Sequence, residues 1–350
     1  MSAERGRILL LGTFLSRRRS TRAVGEDLAD RLQQRGWRVA TASSFVHPLP
    51  RLLDSLAVIL RRRSDYDVAH IDLYSGRAFQ VAEACAGLLR RLDRPYLITL
   101  HGGGLADMAS SEPNRVRALL SGALAVTSPS DFLREALAPL RPDIEVLPNP
   151  VPLENYTYRE RASLRPKLLW LRAFADIYRP ADAVRTVRTL RERGRDAEVH
   201  IIGPDKGGQA LDEVKRERRG LERWVHLEAD GIAKPEVAAT FDTADIFLNT
   251  TSVDNTPVTV IEAMASGLPV VSTDAGGLKY LIRSGSDGLL VPVGDPHAMA
   301  DAVERLLDEP GLGLALTRTA RAKVERWDWR HVIVRWEELF LEALGSRSAA

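Results

Sequence analysis

The stretch "NTTSVDNTPVTVIEAMASGLPVVSTDAGG", Asn249 to Gly277, leaves one apolar segment, "IFLNTT" (246–251), crosses a polar loop and a helix-patterned run, and enters a second, "LPVVSTDA" (268–275). Pro257 stands where the run "VTVIEAMASG" begins, a first-turn position at which a missing N–H is no loss. Strand, loop, helix and strand in that order form a βαβ unit, which builds a parallel sheet. The same rhythm extends in both directions. Before it come "RILLLGTF" (7–14), "WRVATASS" (37–44), "DVAHIDLY" (67–74), "YLITLHGG" (96–103), "ALAVTSPS" (123–130) and "IEVLPNPV" (144–151). Around it lie "KLLWLRAF" (167–174), "EVHIIGP" (198–204), "VHLEAD" (225–230) and "GLLVPVG" (288–294).

Six strand-length runs thus fall in each half, separated by amphipathic stretches such as "TRAVGEDLADRLQQRG". Strands this apolar are covered on both faces, so the expectation is an α/β protein of two doubly wound, Rossmann-like domains. Prolines 148, 150 and 152 in "LPNPVPLENY" break the periodicity and mark the linker, which sets a first domain at 1–152 and a second from 153 to 326. Open α/β sheets bind ligands beyond the carboxyl ends of their strands, so two such domains facing a cleft hold a ligand between them.

The 350 residues are 45% hydrophobic and 27% charged, the balance of an ordinary globular chain. A net charge of +2 gives no argument for nucleic acid as a partner. The one cysteine, Cys85, rules out an internal disulfide or a multi-cysteine zinc site and fits a reducing, cytoplasmic setting. No apolar run has the length of a membrane span, and the opening "MSAERGRILLLGTF" does not read as a signal peptide. "RLLDSLAVILRRR" (51–63) joins an apolar face to a basic end; its simpler reading is a helix packed on the sheet, its alternative a peripheral membrane contact.

Chemistry is expected at strand ends. The loop before Pro257 and the helix start expose unpaired N–H groups at the positive end of a helix dipole, so Asn255, Thr256, Pro257 and Val258 are candidates for an anion site. Asp254 in that loop is suited to accept from sugar hydroxyls. Glu262, after seven intervening residues, can take both hydroxyls of a ribose, since an ionised carboxylate offers two acceptor oxygens. "LITLHGGG" (97–104) has two candidate uses: an esterase oxyanion hole, or a turn whose His101 meets a sugar while Gly102 and Gly103 keep side chains out of the way. The esterase reading fails because no G-x-S-x-G nucleophile elbow occurs. A dinucleotide dehydrogenase fails too, since "GTFLSRRRST" after the first strand has one glycine and no G-x-G-x-x-G.

The acidic pair Asp254 and Glu262, the continuation "EAMASGLPVV" and Gly276-Gly277 closely resemble the E-x7-E motif of retaining glycosyltransferases of family 4, with Asp replacing the first Glu. The resemblance covers nearly the whole chain. "VTSPSDFLRE", "VLPNPV" and "GLLVPVGDPHAMADAVERLLDEP" match further family segments, and "WDWRHVIVRWEELFLEAL" resembles the helix that crosses back to the first domain, here within 327–350. It implies the GT-B fold and transfer of a hexosyl group from a nucleotide diphosphate sugar, UDP- or GDP-linked, to an unidentified acceptor, with retention and with neither metal nor cofactor. By this resemblance His101 contacts the donor sugar, Asp254 positions its hydroxyls, Glu262 holds the ribose, and Arg172 neutralises the diphosphate. The family's downstream Lys is absent, and Arg179 is the substitute candidate, with Tyr178 competing for that register. Gly203 and Lys206 in "IIGPDKGG", and Tyr74 and Ser75 in "DLYSGRAF", are further candidates for substrate contact.

The family's Gly-Gly loop after the first strand is replaced by "FLSRRRSTR", whose Arg17, Arg18, Arg19 and Arg22 are read as a solvated loop or a site for an acidic acceptor. Two rival readings stand beside this one: another GT-B enzyme such as an epimerase or phosphorylase, or, given the departures, a non-catalytic module that binds a nucleotide sugar or assembles with a biosynthetic partner.

Overall fold

The computed structural model describes residues 5–14 and 23–348, without the side chains of 234–235 and 346–348. The candidate arginines 17, 18, 19 and 22 lie outside the described residues. Twelve strands form two six-stranded sheets. The first holds β1 (Arg7–Leu11), β2 (Arg38–Ala42), β3 (Val68–Leu73), β4 (Tyr96–Leu100), β5 (Ala125–Ser128) and β6 (Glu145–Val146), in the order β2-β1-β3-β4-β5-β6. The second holds β7 (Lys167–Leu171), β8 (Glu198–Ile202), β9 (Val225–Glu228), β10 (Ile246–Asn249), β11 (Val270–Thr273) and β12 (Leu289–Val291), in the order β12-β11-β10-β7-β8-β9. Every strand pairing is parallel.

The apolar runs explain this layout. β4, β10 and β11 are buried at every position, as strands covered by helices on both faces must be. The edge strands β2 and β9 each have a single buried position, which fits their having one pairing partner each. The run expected as a strand over 144–151 pairs only at Glu145 and Val146. Pro148, Pro150 and Pro152 have no N–H to give a ladder, and the chain leaves the sheet there.

By its internal contacts the chain divides into Met1–Pro150 with Trp329–Ala350, and Val151–Asp328. The entry and exit of the second unit lie side by side: Val151 bridges Asp328, and its N–H donates to Trp327 O at 2.9 Å. The helix Trp329–Ser348 belongs to the first unit because its apolar stripe is completed there. Trp329, Val332, Ile333, Trp336 and Phe340 recur at helical spacing and pack with Ile8, Leu10, Leu32 and Val68. Glu337 on the same helix accepts from Trp37 Nε1 at 3.0 Å and Arg35 Nε at 2.8 Å, which fixes its rotation on the unit.

The helix Pro48–Arg61 does pack on its unit, through Ser55 and Ile59, yet it leaves Leu49, Leu53 and Leu60 exposed. Cys85 is buried, and burial pushes its thiol up to about 12, so it is an inert core residue. Among the described residues no helix is long and apolar enough to cross a membrane.

Candidate functional site

In the second unit the loops that follow the neighbouring strands β7 and β10 are tied together. Thr250 Oγ1 donates to Tyr178 O at 2.7 Å, Ser252 N to Ile177 O at 2.7 Å, and Trp170 Nε1 to Thr250 Oγ1 at 2.8 Å. This lacing brings Arg172, just past β7, to Asp254, with Nη2 and Oδ2 2.7 Å apart. The Arg172 guanidinium also lies over the Tyr178 ring, 4.2 Å from its centroid. Both charged groups are largely out of water. Burial raises the Asp254 pKa above the usual carboxylate value, against the opposing pull of Arg172 and the Asn255 N–H, which donates to Oδ1 at 2.9 Å. Burial lowers the Arg172 pKa, but Asp254 and Tyr178 outweigh it and leave the guanidinium more firmly charged than usual.

Asp254 is held from behind as well. Gly277 N donates to Asp254 O at 2.9 Å, and a Cβ on Gly277 would meet Asn255 O at 2.0 Å, so the loop can sit this low only over a residue without a side chain. The helix Val258–Ala265 then starts, with Pro257 one place before its first residue rather than within its first turn. No side chain caps this end, and the first-turn dipole points into the same loop. Glu262 lies further along this helix, 8% exposed, where Tyr156 Oη donates to its Oε1 at 2.6 Å. Tyr156 carries no local pattern that marks it, and its role is legible only once the chain has folded.

The other candidates in this unit fare differently. Arg179 does not add a second cation to the Arg172–Asp254 pair; its Nε bonds Asp182 Oδ2 at 2.7 Å from a left-handed backbone, φ 47°, ahead of the helix Pro180–Glu192. Tyr178, the competitor for that register, stacks on Arg172. Gly203 serves packing: a Cβ there would come within 1.7 Å of Arg172 O. Lys206 stands on an exposed turn. Asn255 and Thr256 are buried in the loop before the helix.

In the first unit His101 follows β4, and its Nε2 lies 3.0 Å from Oδ1 of Asp72 on β3. Tyr74 stacks on the imidazole at 4.9 Å between centroids and 18° between planes. Gly102 has φ 75°, which demands glycine, whereas Gly103 has an ordinary helical φ of −63°. Ser75 Oγ lies where a Cβ on Gly104 would meet it at 2.8 Å, so it packs on the third glycine of the run. Nothing local marks Asp72, because a lone acid inside an apolar strand has no periodic signal. Behind it His70 Nε2 meets Thr99 Oγ1 at 2.7 Å, and burial drives the His70 pKa down to about 4, Asp72 raising and His101 lowering it.

A histidine kept neutral in this way binds its proton in the unfolded chain first. Its contribution to stability is therefore complete above pH ~6.5 and is lost as the pH falls toward 4, a loss of about 3 kcal/mol. Denaturant titrations across this window should show that decline in the wild type and a flatter profile in His70→Gln; identical slopes would mean that His70 is solvated and titrates normally.

Two family models match the chain: "Glycosyltransferase Family 4" over residues 21–155 and "Glycosyl transferases group 1" over residues 165–309. Together they take in most of its length, and the chain belongs to this family of glycosyltransferases. A D-inositol 3-phosphate glycosyltransferase of Corynebacterium urealyticum is 29% identical over 172 residues, 46% of this chain and 39% of that protein. The matched stretch thus spans about two-fifths of that relative's length. Among solved structures, a sucrose-phosphate synthase from Thermosynechococcus elongatus superposes with a TM-score of 0.82 at 16% identity, covering 97% of this chain and 100% of the other. HepE of Anabaena in complex with UDP-glucose gives a TM-score of 0.72 at 17% identity over the same shares. At these identities the likeness shows the fold, which is GT-B.

Proposed function

We propose that the chain transfers a hexosyl group from a nucleotide diphosphate sugar to an acceptor hydroxyl with retention at the anomeric carbon and without a resident metal. The observation that carries this reading is the pairing of Arg172 with Asp254 in laced loops beside an uncapped helix start, with Glu262 on the same helix. Arg172 and the first-turn N–H groups around Pro257 and Val258 supply positive charge where a departing diphosphate gathers negative charge. Asp254 positions the sugar hydroxyls, and Glu262, whose Oε1 accepts from Tyr156 Oη, receives the ribose. His101 in the first unit meets the sugar, as the resemblance implies, with Tyr74 against its ring. The UDP-glucose bound to HepE supports a UDP-sugar as the first donor to try. The exposed Leu49, Leu53 and Leu60, on a helix that runs into Arg61, Arg62 and Arg63, support peripheral contact with an anionic membrane surface.

Calorimetry with UDP and GDP tests the donor half. Glu262→Ala should weaken whichever diphosphate binds by about 1.5–3 kcal/mol, the range for a hydrogen bond to a charged group, and Tyr156→Phe should weaken it less. Unchanged affinity for the bare nucleotide in Glu262→Ala would remove Glu262 from the ribose.

A further inference from the structure

The carboxylate of Asp72 is set against His101 by features drawn from four parts of the first unit. β3 and β4 are neighbours in register, with Asp72 opposite Thr99, so His101 two residues on lies beyond the strand end within reach of the Asp72 side chain. His101 N donates to Leu73 O at 2.7 Å, which anchors the backbone of the turn. Around the carboxylate the fold has made room: a Cβ on Gly12, just past β1, would stand 2.4 Å from Asp72 Oδ2, and one on Gly25, in the helix Val24–Gln34, 3.0 Å from it. The Tyr74 ring covers a face of the imidazole and fixes its plane. We propose that Asp72 is a positioning residue for the transfer reaction, holding His101 with its hydrogen on Nε2 and so turning Nδ1 to the substrate as an acceptor for a sugar hydroxyl.

The chemistry leaves little choice of tautomer. Burial raises the Asp72 pKa, but the neighbouring His101, with its hydrogen bond, and the more distant His70 lower it further, so the group is ionised. An ionised carboxylate can only accept, and the hydrogen in the 3.0 Å contact therefore sits on Nε2. Of the two imidazoles near Asp72, His70 is kept neutral by burial and spends its Nε2 on Thr99, which in turn lies 2.7 Å from Thr127 Oγ1. His70 Nδ1 stands 3.9 Å from Asp72 Oδ1, too far for a hydrogen bond, and Trp336 meets the His70 ring edge-on from the helix Trp329–Ser348. The carboxylate is thereby left to His101. A partner of this kind fixes which ring nitrogen is protonated and where the other points.

The inference rests on the reading of His101 as the group that meets the sugar, and the test separates the two. Long-range ¹H–¹⁵N spectra of the ¹⁵N-histidine-labelled chain at about pH 8.5, where free imidazoles are neutral, should show His101 protonated on Nε2 in the wild type and shifted toward Nδ1 in Asp72→Asn. Release of UDP from UDP-glucose, or of GDP from GDP-mannose, should fall about 10- to 100-fold in kcat in Asp72→Asn, with the donor KM changing far less. The double variant Asp72→Asn/His101→Ala should be no slower than His101→Ala alone, since Asp72 acts only through that ring. An unshifted tautomer in Asp72→Asn, or losses that multiply in the double variant, overturns the role of Asp72. A shifted tautomer together with full turnover in His101→Ala instead overturns the reading of His101, and the proposal with it.

Discussion

Arg172→Ala is expected to lower kcat by about a thousandfold, roughly 4 kcal/mol of barrier, the scale seen when one donor to a developing anion is removed. Two losses combine. The diphosphate site proposed above loses its guanidinium, and Asp254 loses the cation 2.7 Å away that offsets its burial. Burial already raises the Asp254 pKa, so without Arg172 it should rise again, and the group should hold a proton when it is needed as an acceptor. Stripping one partner from a buried ion pair costs about 3–5 kcal/mol of stability where the remaining charge stays ionised. Because a raised pKa favours the folded state at low pH, the variant's stability deficit should shrink on acidification and grow as the pH rises through the shifted value. Denaturant titrations beside turnover measurements separate the two losses. Arg172→Lys, which keeps the charge but not the planar stack on Tyr178, should fall between the two. Arg179→Ala is expected to cost far less, because that guanidinium is half exposed and already bonded to Asp182. Unimpaired turnover in Arg172→Ala would remove the diphosphate from this site.

Gly277→Ala should be nearly as damaging, and for a steric reason. The added Cβ would stand 2.0 Å from Asn255 O, which is backbone and cannot swing aside, so the loop carrying Asp254 and Asn255 has to move. Its hydrogen bond from Gly277 N to Asp254 O moves with it, and so does the contact with Arg172. Overpacking of this kind costs about 1–3 kcal/mol, and a backbone obstacle puts it at the upper end. Nucleotide affinity and kcat/KM should both fall by about a hundredfold or more, the equivalent of some 3 kcal/mol. Gly285→Ala is the matched control: its φ of 79° is strained for alanine, but no atom lies within 4 Å of the new Cβ. It should lose about 1–2 kcal/mol of stability and keep nucleotide binding. Gly277 itself has an ordinary φ of −75°, so equal behaviour of the two variants would mean that the loop yields to the new Cβ and that the Asn255 contact does not set the cost.

Much of this arrangement could be read along the chain. The twelve apolar runs gave twelve strands, six to a sheet, because burial on both faces leaves a continuous signal that needs no knowledge of neighbours. β6 fell short of its run, since Pro148 and Pro150 interrupt pairing that hydrophobicity alone would have allowed to continue. The placing of Asp254 in a loop and Glu262 along the following helix was equally local, set by a strand end, Pro257 and helical spacing.

The partners were not local. Glu262 meets a tyrosine 106 residues away, and His101 an aspartate 29 residues away on the next strand. Arg172 and Asp254 meet because β7 and β10 lie side by side, although two strands and their crossovers separate them in the chain. Periodicity tells a residue whether it will be buried and in which kind of element, since both depend on side chains a few positions apart. Which side chain it then faces depends on the order in which crossovers lay strands into the sheet. The sequence by itself determined the elements, the two sheets and the acidic pair of the candidate site, while the tertiary structure alone decided that Tyr156 donates to Glu262, that Arg179 is held by Asp182, and that Asp72 holds His101.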